Sequence, residues 1–505
     1  MTQRYTNPAP GEEFNGARQY FEGVVDWLAS EEAGSCTHED LEARLTRDGR
    51  ELMRRLLEAH LDLRAVREPR YSSVLGSDGV ERRHVREHTS RGLMTVFGPV
   101  RVTRRRYGSP GERSLFPADA VLNLPVEEHS HGLRRHAAEE AAKSSFDEVV
   151  ASIAKYTGGT VGKRQAEELT ARAAKDFESF YERRGSDGPE ATEDLLVLSL
   201  DGKGIVMLED ALREATRRAA ARAKPKLGTR TSPGEKKNRK RMATVAAVYT
   251  VRAQPRAPED VMTRIAPVED RSRTRPKARN KRVWASVEKS QDEVTEQLFE
   301  EAARRDPERK RSWVALVDGD EHQLDLLHQY ALWFDVNIVI VLDFIHVLEK
   351  LWKAAWCFHS KGDRRVEKWV HERALAVLRG HSSRVAAGIR RSATRRRIQG
   401  EKRRTIDNVA NYLLNNRDYL RYDEALAAGY PIATGVIEGA CRHLIKDRMD
   451  ITGARWGLQG AEAVLRLRAL RSSGDFEEYW SFHLESERKR IHLSRYAPPA
   501  LAEAA

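Results

Sequence analysis

The sequence predicts an α/β fold in which a mixed sheet is flanked by helices. Three observations lead to this prediction: short continuous apolar runs, amphipathic segments between the later runs, and acidic residues at the ends of two runs. Continuous apolar runs are typical of strands buried on both faces, as in sheets covered by helices. With 505 residues and 40% hydrophobic residues, the chain is long and apolar enough for several domains with their own cores.

The predicted sheet follows a Gly/Pro/acidic linker, Arg184 to Glu193. The strand candidates are residues 195–200, 243–251, 282–287, 313–317 and 337–342. One predicted helix (288–304) precedes the fourth strand, and another (321–333) separates the fourth from the fifth. Three strands followed by helix–strand–helix–strand match the element order of a ribonuclease-H-like core. The helical pattern from residue 343 to 428, rich in Arg, Lys and Trp, predicts an all-helical insertion.

The segments before this core combine helices and a hairpin. Leucine spacing predicts a helix over 37–66, and alternation around a Phe-Gly-Pro turn predicts two strands over 83–107. Ser145 to Glu148 fits a capping box that opens a helix, and Gly158-Gly159 separates it from a second helix carrying Lys163 and Arg164. Two short helices around a glycine turn suit a DNA-reading helix-turn-helix, although any helical hairpin has this pattern.

These patterns divide the chain into five predicted regions. They are an N-terminal α+β region (1–110), a helical, helix-turn-helix-like DNA-binding region (111–185), the first part of the core (190–342), the helical insertion (343–428), and the last part of the core with a C-terminal helical tail (429–505).

The composition favours a polyanionic partner and an intracellular location. The formal net charge is +12, which suits phosphate neutralisation but also fits an ordinary Arg-rich surface. Three cysteines without a Cys-x-x-Cys pair exclude a zinc ribbon or a disulfide framework and indicate reduced thiols. The longest aliphatic run, Ile338 to Leu342, is too short to span a bilayer. We therefore expect a cytoplasmic protein without a membrane partner.

A basic segment from Arg222 to Arg241 interrupts the core between its first two strands. Its end packs cations around Pro and Gly, and we expect these to contact DNA: Lys236, Lys237, Arg239, Lys240 and Arg241. The alternative is a solvated loop without a partner.

Three acidic residues are candidates for a metal-dependent active site. Asp201 and Asp318 end apolar runs, and Glu438 lies one turn into a predicted helix. Carboxylates brought together at strand ends and on a facing helix can hold two divalent ions about 3.5–4 Å apart. Each has a simpler alternative, since Asp-Gly is a turn dipeptide and Glu438 could pair with Arg442. Asp320 competes with Asp318 but also suits a helix N-cap.

Two further groups accompany these carboxylates. Asp343 and His346 open a predicted helix, Asp343 as an N-cap, and His346 could face a scissile phosphate or pack inside. The cations Arg442 and Lys446 are expected on the same helical face as Glu438.

One block of sequence carries a family resemblance. It is residues 429–449, Gly-Tyr-Pro-Ile-Ala-Thr-Gly-Val-Ile-Glu-Gly-Ala-Cys-Arg-His-Leu-Ile-Lys-Asp-Arg-Met, followed by Thr-Gly-Ala-Arg-Trp at 452–456. The block closely resembles the C-terminal signature of bacterial insertion-sequence transposases of the ISKra family. The stretches 200–204, 234–242 and 317–320 are similar to the same family, and the resemblance covers roughly residues 85–495.

The resemblance implies a DDE transposase with a ribonuclease-H-like catalytic domain, in which Asp201, Asp318 and Glu438 hold two Mg²⁺ (or Mn²⁺) ions. It would cut the element ends and join the 3′-hydroxyl to target DNA. The implied partners are double-stranded DNA, as terminal inverted repeats and target, and further copies of the chain in a dimer or higher multimer. The implied location is the bacterial nucleoid.

The resemblance also gives expected roles to residues near the triad. Asp343-x-x-His346 falls where related transposases have a Cys- or Asp-x-x-His motif. Arg442, Lys446 and Arg448 would neutralise DNA backbone charge, and Trp456 would stack on an unpaired base or pack in the core. The alternatives are a catalytically silent DNA-binding regulator and a nuclease of the same fold without strand transfer.

Overall fold

The structure, a computed structural model, describes residues 12–184, 193–222, 239–265, 277–360 and 362–497. It divides the chain into two compact units, one of Met1–Glu182 with Asp475–Ala505 and one of Arg183–Gly474. The C-terminal segment from Asp475 therefore belongs to the same unit as the N-terminal residues. The predicted region 429–505 instead joins this segment to the last part of the core.

The first unit combines helices with a long β-hairpin. Its helices before the core are α1 (Asn15–Leu28), α2 (Glu31–Gly34), α3 (His38–Val66), α4 (Pro117–Val121), α5 (His131–Ala141), α6 (Phe146–Tyr156), α7 (Lys163–Ala173) and α8 (Phe177–Arg183). Its strands are β1 (Val74–Leu75), β2 (Glu81–Arg82), β3 (His84–Thr95) and β4 (Gly98–Gly108), paired β1–β2 and β3–β4. The predicted helix 37–66, hairpin 83–107 and capping box at Ser145 are confirmed.

The two glycines between α6 and α7 allow a close approach to the β3–β4 turn. Gly158 N–H donates to the Val96 carbonyl at 2.8 Å. A Cβ on Gly158 would lie 2.3 Å from the Phe97 carbonyl oxygen, and one on Gly159 would lie 2.8 Å from that of Thr95. The glycine pair is therefore needed where the helix pair packs on the hairpin.

The second unit contains a five-stranded mixed sheet with helices. Its strands are β5 (Asp194–Val206), β6 (Lys240–Arg252), β7 (Arg279–Ser286), β8 (Trp313–Val317) and β9 (Ile338–Leu342), in the order β7-β6-β5-β8-β9. The pairs β5–β6 and β6–β7 are antiparallel, and β5–β8 and β8–β9 are parallel. All five predicted strands are confirmed. The chain is thus of the mixed α/β class.

Strand β5 runs further than the sequence indicated. Its apolar run ends at Leu200, but the strand continues to Val206 because β6 pairs with it along its whole length. Pairing with the parallel strand β8 ends earlier along β5, because the last β5 residue that pairs with β8 is Ser199. Asp201 therefore lies within β5 instead of at its end, just beyond the parallel pairing.

The helices of the second unit are α9 (Glu214–Arg222), α10 (Pro258–Ile265), α11 (Gln291–Arg305), α12 (Glu321–Trp333), α13 (Phe344–Phe358), α14 (Arg365–Leu378), α15 (Ser382–Arg395), α16 (Gly400–Asn415), α17 (Tyr422–Ala427), α18 (Gly435–Ala440), α19 (Asp447–Met449) and α20 (Leu458–Ser473). Wider π-helical turns, Cys441–Lys446, join α18 to α19. Helices α13 to α17 occupy the region predicted as all-helical.

Within the described residues, no helix is both long and apolar enough to cross a membrane.

A buried ionic cluster attaches the C-terminal helix α21 (Phe476–Glu487) to the first unit. Arg134 of α5 is fully buried, pairs with Glu127, and donates to Glu487 at 3.0 Å and to His483 Nε2 at 3.1 Å. Because a guanidinium only donates, Nε2 accepts and the proton lies on His483 Nδ1, which donates to Asp176 at 2.7 Å. These contacts explain why the C-terminal segment belongs to this unit.

The same cluster predicts acid sensitivity. Burial raises the pKa of Asp176, but hydrogen bonds from His483 and Arg490 outweigh it and lower the pKa to about 2. A depressed carboxyl pKa stabilises the fold above the unfolded value, about 3.9, and this contribution disappears as the pH falls towards 2. The free energy of unfolding of the wild type, measured by urea denaturation, should therefore fall as the pH is lowered from about 4 to 2. The free energy of unfolding of Asp176→Asn should fall less over the same pH range. An equal pH dependence in the two proteins would contradict a stabilising role for the Asp176 carboxylate.

Candidate active site at the edge of the sheet

Two of the predicted carboxylates lie on neighbouring parallel strands. Asp201 follows the last residues of β5 that pair with β8, and Asp318 follows β8 directly. Burial raises the pKa of Asp318, and the negative charge of Asp201 raises it further. The two carboxylates are therefore within electrostatic range at one edge of the sheet, where open sheets place ligands.

The turn after β8 separates the roles of Asp318 and Asp320. Gly319 between them has a φ of +90°, and a Cβ there would lie 3.0 Å from Leu342, so only glycine fits without strain. Asp320 caps α12 by accepting from the Gln323 N–H at 3.1 Å. Its own N–H donates to Asp318 Oδ1 at 3.2 Å. Asp320 is thus the N-cap, and Asp318 is the carboxylate whose pKa responds to Asp201.

Glu438 reaches the same place from a helix that is anchored at both ends. At its start, the Thr434 hydroxyl donates to the buried carboxylate of Asp343. At its far end, the Trp456 indole N–H donates to the Met449 carbonyl at 3.0 Å, and the Trp456 backbone pairs with the end of β5. The helix is consequently held across β5 beside Asp201.

The charges around Glu438 place it with the two aspartates. Burial raises the pKa of Glu438, and the negative charges of Asp343 and Asp201 raise it further. The charge of His346 lowers the pKa of both Glu438 and Asp318. Asp201 and His346 therefore each lie within electrostatic range of both Asp318 and Glu438, which come from distant parts of the sequence.

Asp343 and His346 have different surroundings. Asp343 is fully buried and caps α13 by accepting from the Ile345 N–H at 2.8 Å, in addition to its bond from Thr434. It therefore joins the start of α13 to the start of the Glu438 helix. His346 is partly exposed, with Nδ1 3.8 Å from Asp343 Oδ2, and it can act on a ligand of the site.

Three neighbours of the site were not predicted. The buried Cys441 thiol donates to Asp201 Oδ2 at 3.0 Å. Lys203 lies on the same face of β5 as Asp201, because side chains two residues apart share a face. The Tyr412 hydroxyl, from α16, donates to the Asp318 carbonyl at 3.3 Å. The alternation along β5 could have identified Lys203, whereas no local pattern indicates Cys441 or Tyr412.

The Cys441 thiol predicts a measurable effect on metal dependence. Cys441→Val removes the donor to Asp201, and we expect activity or metal affinity to fall roughly 10–100-fold, as for other groups that orient metal ligands. Cys441→Ser keeps a donor and should retain most activity. The measurement is the Mg²⁺ concentration at half-maximal DNA cleavage, with thermal melts to confirm folding. Equal half-saturation in wild type and Cys441→Val would contradict a positioning role.

The carboxylates suit hard divalent cations, which prefer oxygen ligands. Within the described part of the chain, however, no three His, Cys, Asp or Glu side chains form a ready-made metal-binding group. Asp201, Asp318 and Glu438 thus offer the carboxylate oxygens that such cations prefer, but their side chains do not form a preorganised metal site. Burial and the negative charge of Asp201 raise the pKa of Asp318 and of Glu438, and a bound cation would offset that negative charge.

The predicted DNA contacts next to Glu438 separate into two groups. Arg442 and Lys446 are exposed, as is Glu438, and Arg442 Nε lies 3.5 Å from Asp447 and not beside Glu438. The simpler alternative for Glu438, an ion pair with Arg442, is not formed among the described residues, because Arg442 pairs with Asp447. Arg448 and Trp456 are both buried, with the guanidinium 4.7 Å from the indole centroid. Both side chains are therefore packed inside the fold, which for Trp456 is the core-packing alternative; a DNA contact by either residue stays a prediction.

The predicted DNA contacts of the basic segment, residues 236–241, differ in their surroundings. Lys236 and Lys237 lie outside the described residues. Arg241 donates to the carbonyls of Val287, Ala211 and Glu288, so its guanidinium stabilises the fold. Lys240 is exposed and Arg239 is half-buried.

The cations of α7 are exposed but paired. Lys163 lies 2.8 Å from Asp147, and Arg164 lies 3.2 Å from Glu168. The predicted DNA-reading helix therefore carries little unpaired positive charge at its start.

Comparison with known proteins leaves the assignment to the residues themselves. The chain matches no protein-family model, and no curated protein matches it.

Proposed function

We propose that the chain is an insertion-sequence DNA transposase that cuts the ends of its element and joins the 3′-hydroxyl to target DNA. The observation that carries the proposal is that Asp201 on β5 and Asp318 after β8 lie on neighbouring parallel strands, and that the Cys441 thiol, directly after the Glu438 helix, donates to Asp201. These carboxylates are the three acidic positions that the resemblance to ISKra transposases implies. Their distance in sequence makes chance convergence a poor explanation.

The topology of the second unit supports a ribonuclease-H-like core. Three antiparallel strands are followed by two parallel strands, and α11 and α12 precede and separate the last two. The order matches the element pattern from which this core was inferred. The helical insertion contributes Tyr412 to the site, so it belongs to the active centre as well as to the surface.

An exposed basic surface on the insertion supports a nucleic-acid partner. Arg391, Arg395, Arg397 and Arg404 are exposed at the ends of α15 and α16. They form no ion pair among the residues that the structure describes. Unpaired cations clustered on one segment are the electrostatic signature of phosphate binding.

The residues of the site have separable roles. Divalent ions held by Asp201, Asp318 and Glu438 would activate the attacking oxygen and stabilise charge on the phosphoryl group. Asp343 holds the Glu438 helix in position through Thr434. His346 is placed to interact with a substrate phosphate, and the exposed Arg442 and Lys446 provide positive charge beside the carboxylates.

A strand-transfer assay tests the proposal against a nuclease of the same fold. The substrate is a precut DNA end from the region flanking this chain's own gene, incubated with Mg²⁺ and supercoiled target. We expect joined products that disappear when the terminal 3′-hydroxyl is replaced by hydrogen. Cleavage of an uncut end without any joined product would identify a nuclease. DNA binding without either reaction would favour a silent regulator.

A further inference from the structure

The first unit contains an arginine-lined pocket that the proposed reaction does not use. The pocket is a cavity of about 340 Å³, near the lower end of volumes found for small-ligand sites, about 300–1,000 Å³. Five arginines and one carboxylate define its charge: Arg91, Arg104, Arg106, Arg113, Arg495 and Asp119. Its lining residues come from two distant parts of the sequence, 91–126 and 491–496, so the pocket forms only when this unit is folded.

Two of the arginines hold the pocket together. Arg91 donates to the carbonyls of Pro125 and Glu127 at 2.7 and 2.9 Å. The buried Arg104 donates to Asp119 at 2.6 Å. The single lining carboxylate is thus already paired, and these contacts fix the β3–β4 wall against the loop that precedes α5.

The remaining three arginines are uncompensated. Arg106 donates to the Ser114 hydroxyl at 2.7 Å, which leaves its charge unneutralised. Arg106, Arg113 and Arg495 form no ion pair within the part of the chain that the structure describes. Burial lowers the pKa of Arg495, and the adjacent positive charge of Arg113 lowers it further. Five guanidinium groups around one carboxylate, Asp119, leave a concave site with excess positive charge, which indicates that an anion belongs there.

We propose that this pocket binds a phosphate group through Arg106, Arg113 and Arg495. Guanidinium groups present paired donors that match phosphate oxygens. A phosphate also carries enough charge to engage more than one of them. The phosphate has two possible sources, the DNA backbone or a small free phosphate compound, and the inference is independent of the carboxylate site.

The test compares two triple variants in the full chain. Arg106→Gln/Arg113→Gln/Arg495→Gln removes the unpaired cations and leaves Arg91 and Arg104 in place. The control, Arg64→Gln/Arg67→Gln/Lys175→Gln, removes three exposed positive charges of the same unit that do not line the pocket. Both are measured in EDTA, so that the outcome does not depend on catalysis, and thermal melts without ligand establish that both fold.

Two probes distinguish the sources. The first is a 20-base-pair duplex followed by fluorescence anisotropy over a range of salt concentrations. If the phosphate is that of DNA, the pocket variant should bind at least about tenfold more weakly than the control. Its slope of log affinity against log salt should also be shallower by about 2–3.

The second probe is inorganic pyrophosphate, followed by calorimetry. If the ligand is a free phosphate compound, pyrophosphate should bind the control and not the pocket variant, while both bind the duplex equally. If the two variants behave alike with both probes, the proposed site is overturned.

Discussion

Neutralising any one of the three carboxylates should abolish metal-dependent DNA cleavage while leaving DNA binding intact. The changes are Asp201→Asn, Asp318→Asn and Glu438→Gln, which keep size and remove charge. We expect each to lower the cleavage rate by at least about 10²–10³-fold, the scale seen when one electrostatic contributor to a transition state is removed. The loss follows because Asp201 interacts electrostatically with both other carboxylates and all three share one charge-dependent site. Single-turnover cleavage and anisotropy of duplex binding measure the two properties separately.

Asp320→Asn is the matched control for this series. Asparagine caps helices about as well as aspartate, so the Gln323 contact and the turn should survive. Activity should therefore remain near that of the wild type. If Asp320→Asn loses cleavage while Asp318→Asn keeps it, the second metal ligand is Asp320. If all single variants remain active, the carboxylate site is not catalytic and the proposed function fails.

Truncating Arg134 should be among the most destabilising single changes in the first unit. Arg134→Ala removes the buried cation that contacts both Glu127 and Glu487, which keep Arg172 and Arg490 as partners, and loss of a buried ionic partner costs up to about 3–5 kcal/mol. It also removes the hydrogen-bond donor to His483 Nε2, while the bond from Nδ1 to Asp176 remains. The change in the free energy of unfolding can be measured by urea denaturation followed by circular dichroism.

The neighbouring Arg135 provides the control. It is partly exposed and pairs with Glu139 and Glu477 at the surface. Exposed ion pairs contribute about 0–1 kcal/mol, so Arg135→Ala should cost no more than that. Similar losses for both variants would show that the buried cluster contributes no more than a surface pair.

Local patterns were sufficient for the elements that lead to the site. The five strands, the helix after Asp320 and the capping box at Ser145 follow from apolar periodicity and short-range hydrogen bonding, which depend on residues a few positions apart. The same reasoning selected Asp318 over Asp320, because a residue that begins a helix is suited to capping. Short-range chemistry could not tell where β5 ends, since its extension depends on pairing with β6.

Burial and pairing of the predicted contact residues depended on distant partners. In sequence, Arg448 is a candidate DNA contact and Trp456 either a DNA contact or a core residue; in the fold they pack against each other and are buried, and the Trp456 backbone N–H donates to the Val206 carbonyl. Arg241 belongs to a basic run, yet backbone carbonyls far along the chain accept its hydrogen bonds. Such outcomes have no local signature, because a charged side chain is the same in sequence whether it meets water, a carbonyl or an aromatic ring.

By itself the sequence determined the α/β class, the order of strands and helices, and the identity of the acidic residues at the sheet edge. Only the tertiary structure decided that the charge of Asp201 acts on both Asp318 and Glu438, that the Cys441 thiol donates to Asp201, and that Asp343 holds the start of the Glu438 helix through Thr434. The tertiary structure also brought Arg91 and Arg495 to one pocket. The physical reason is range: backbone propensity and capping act over a few residues, whereas desolvation and charge interaction depend on which distant segments pack together.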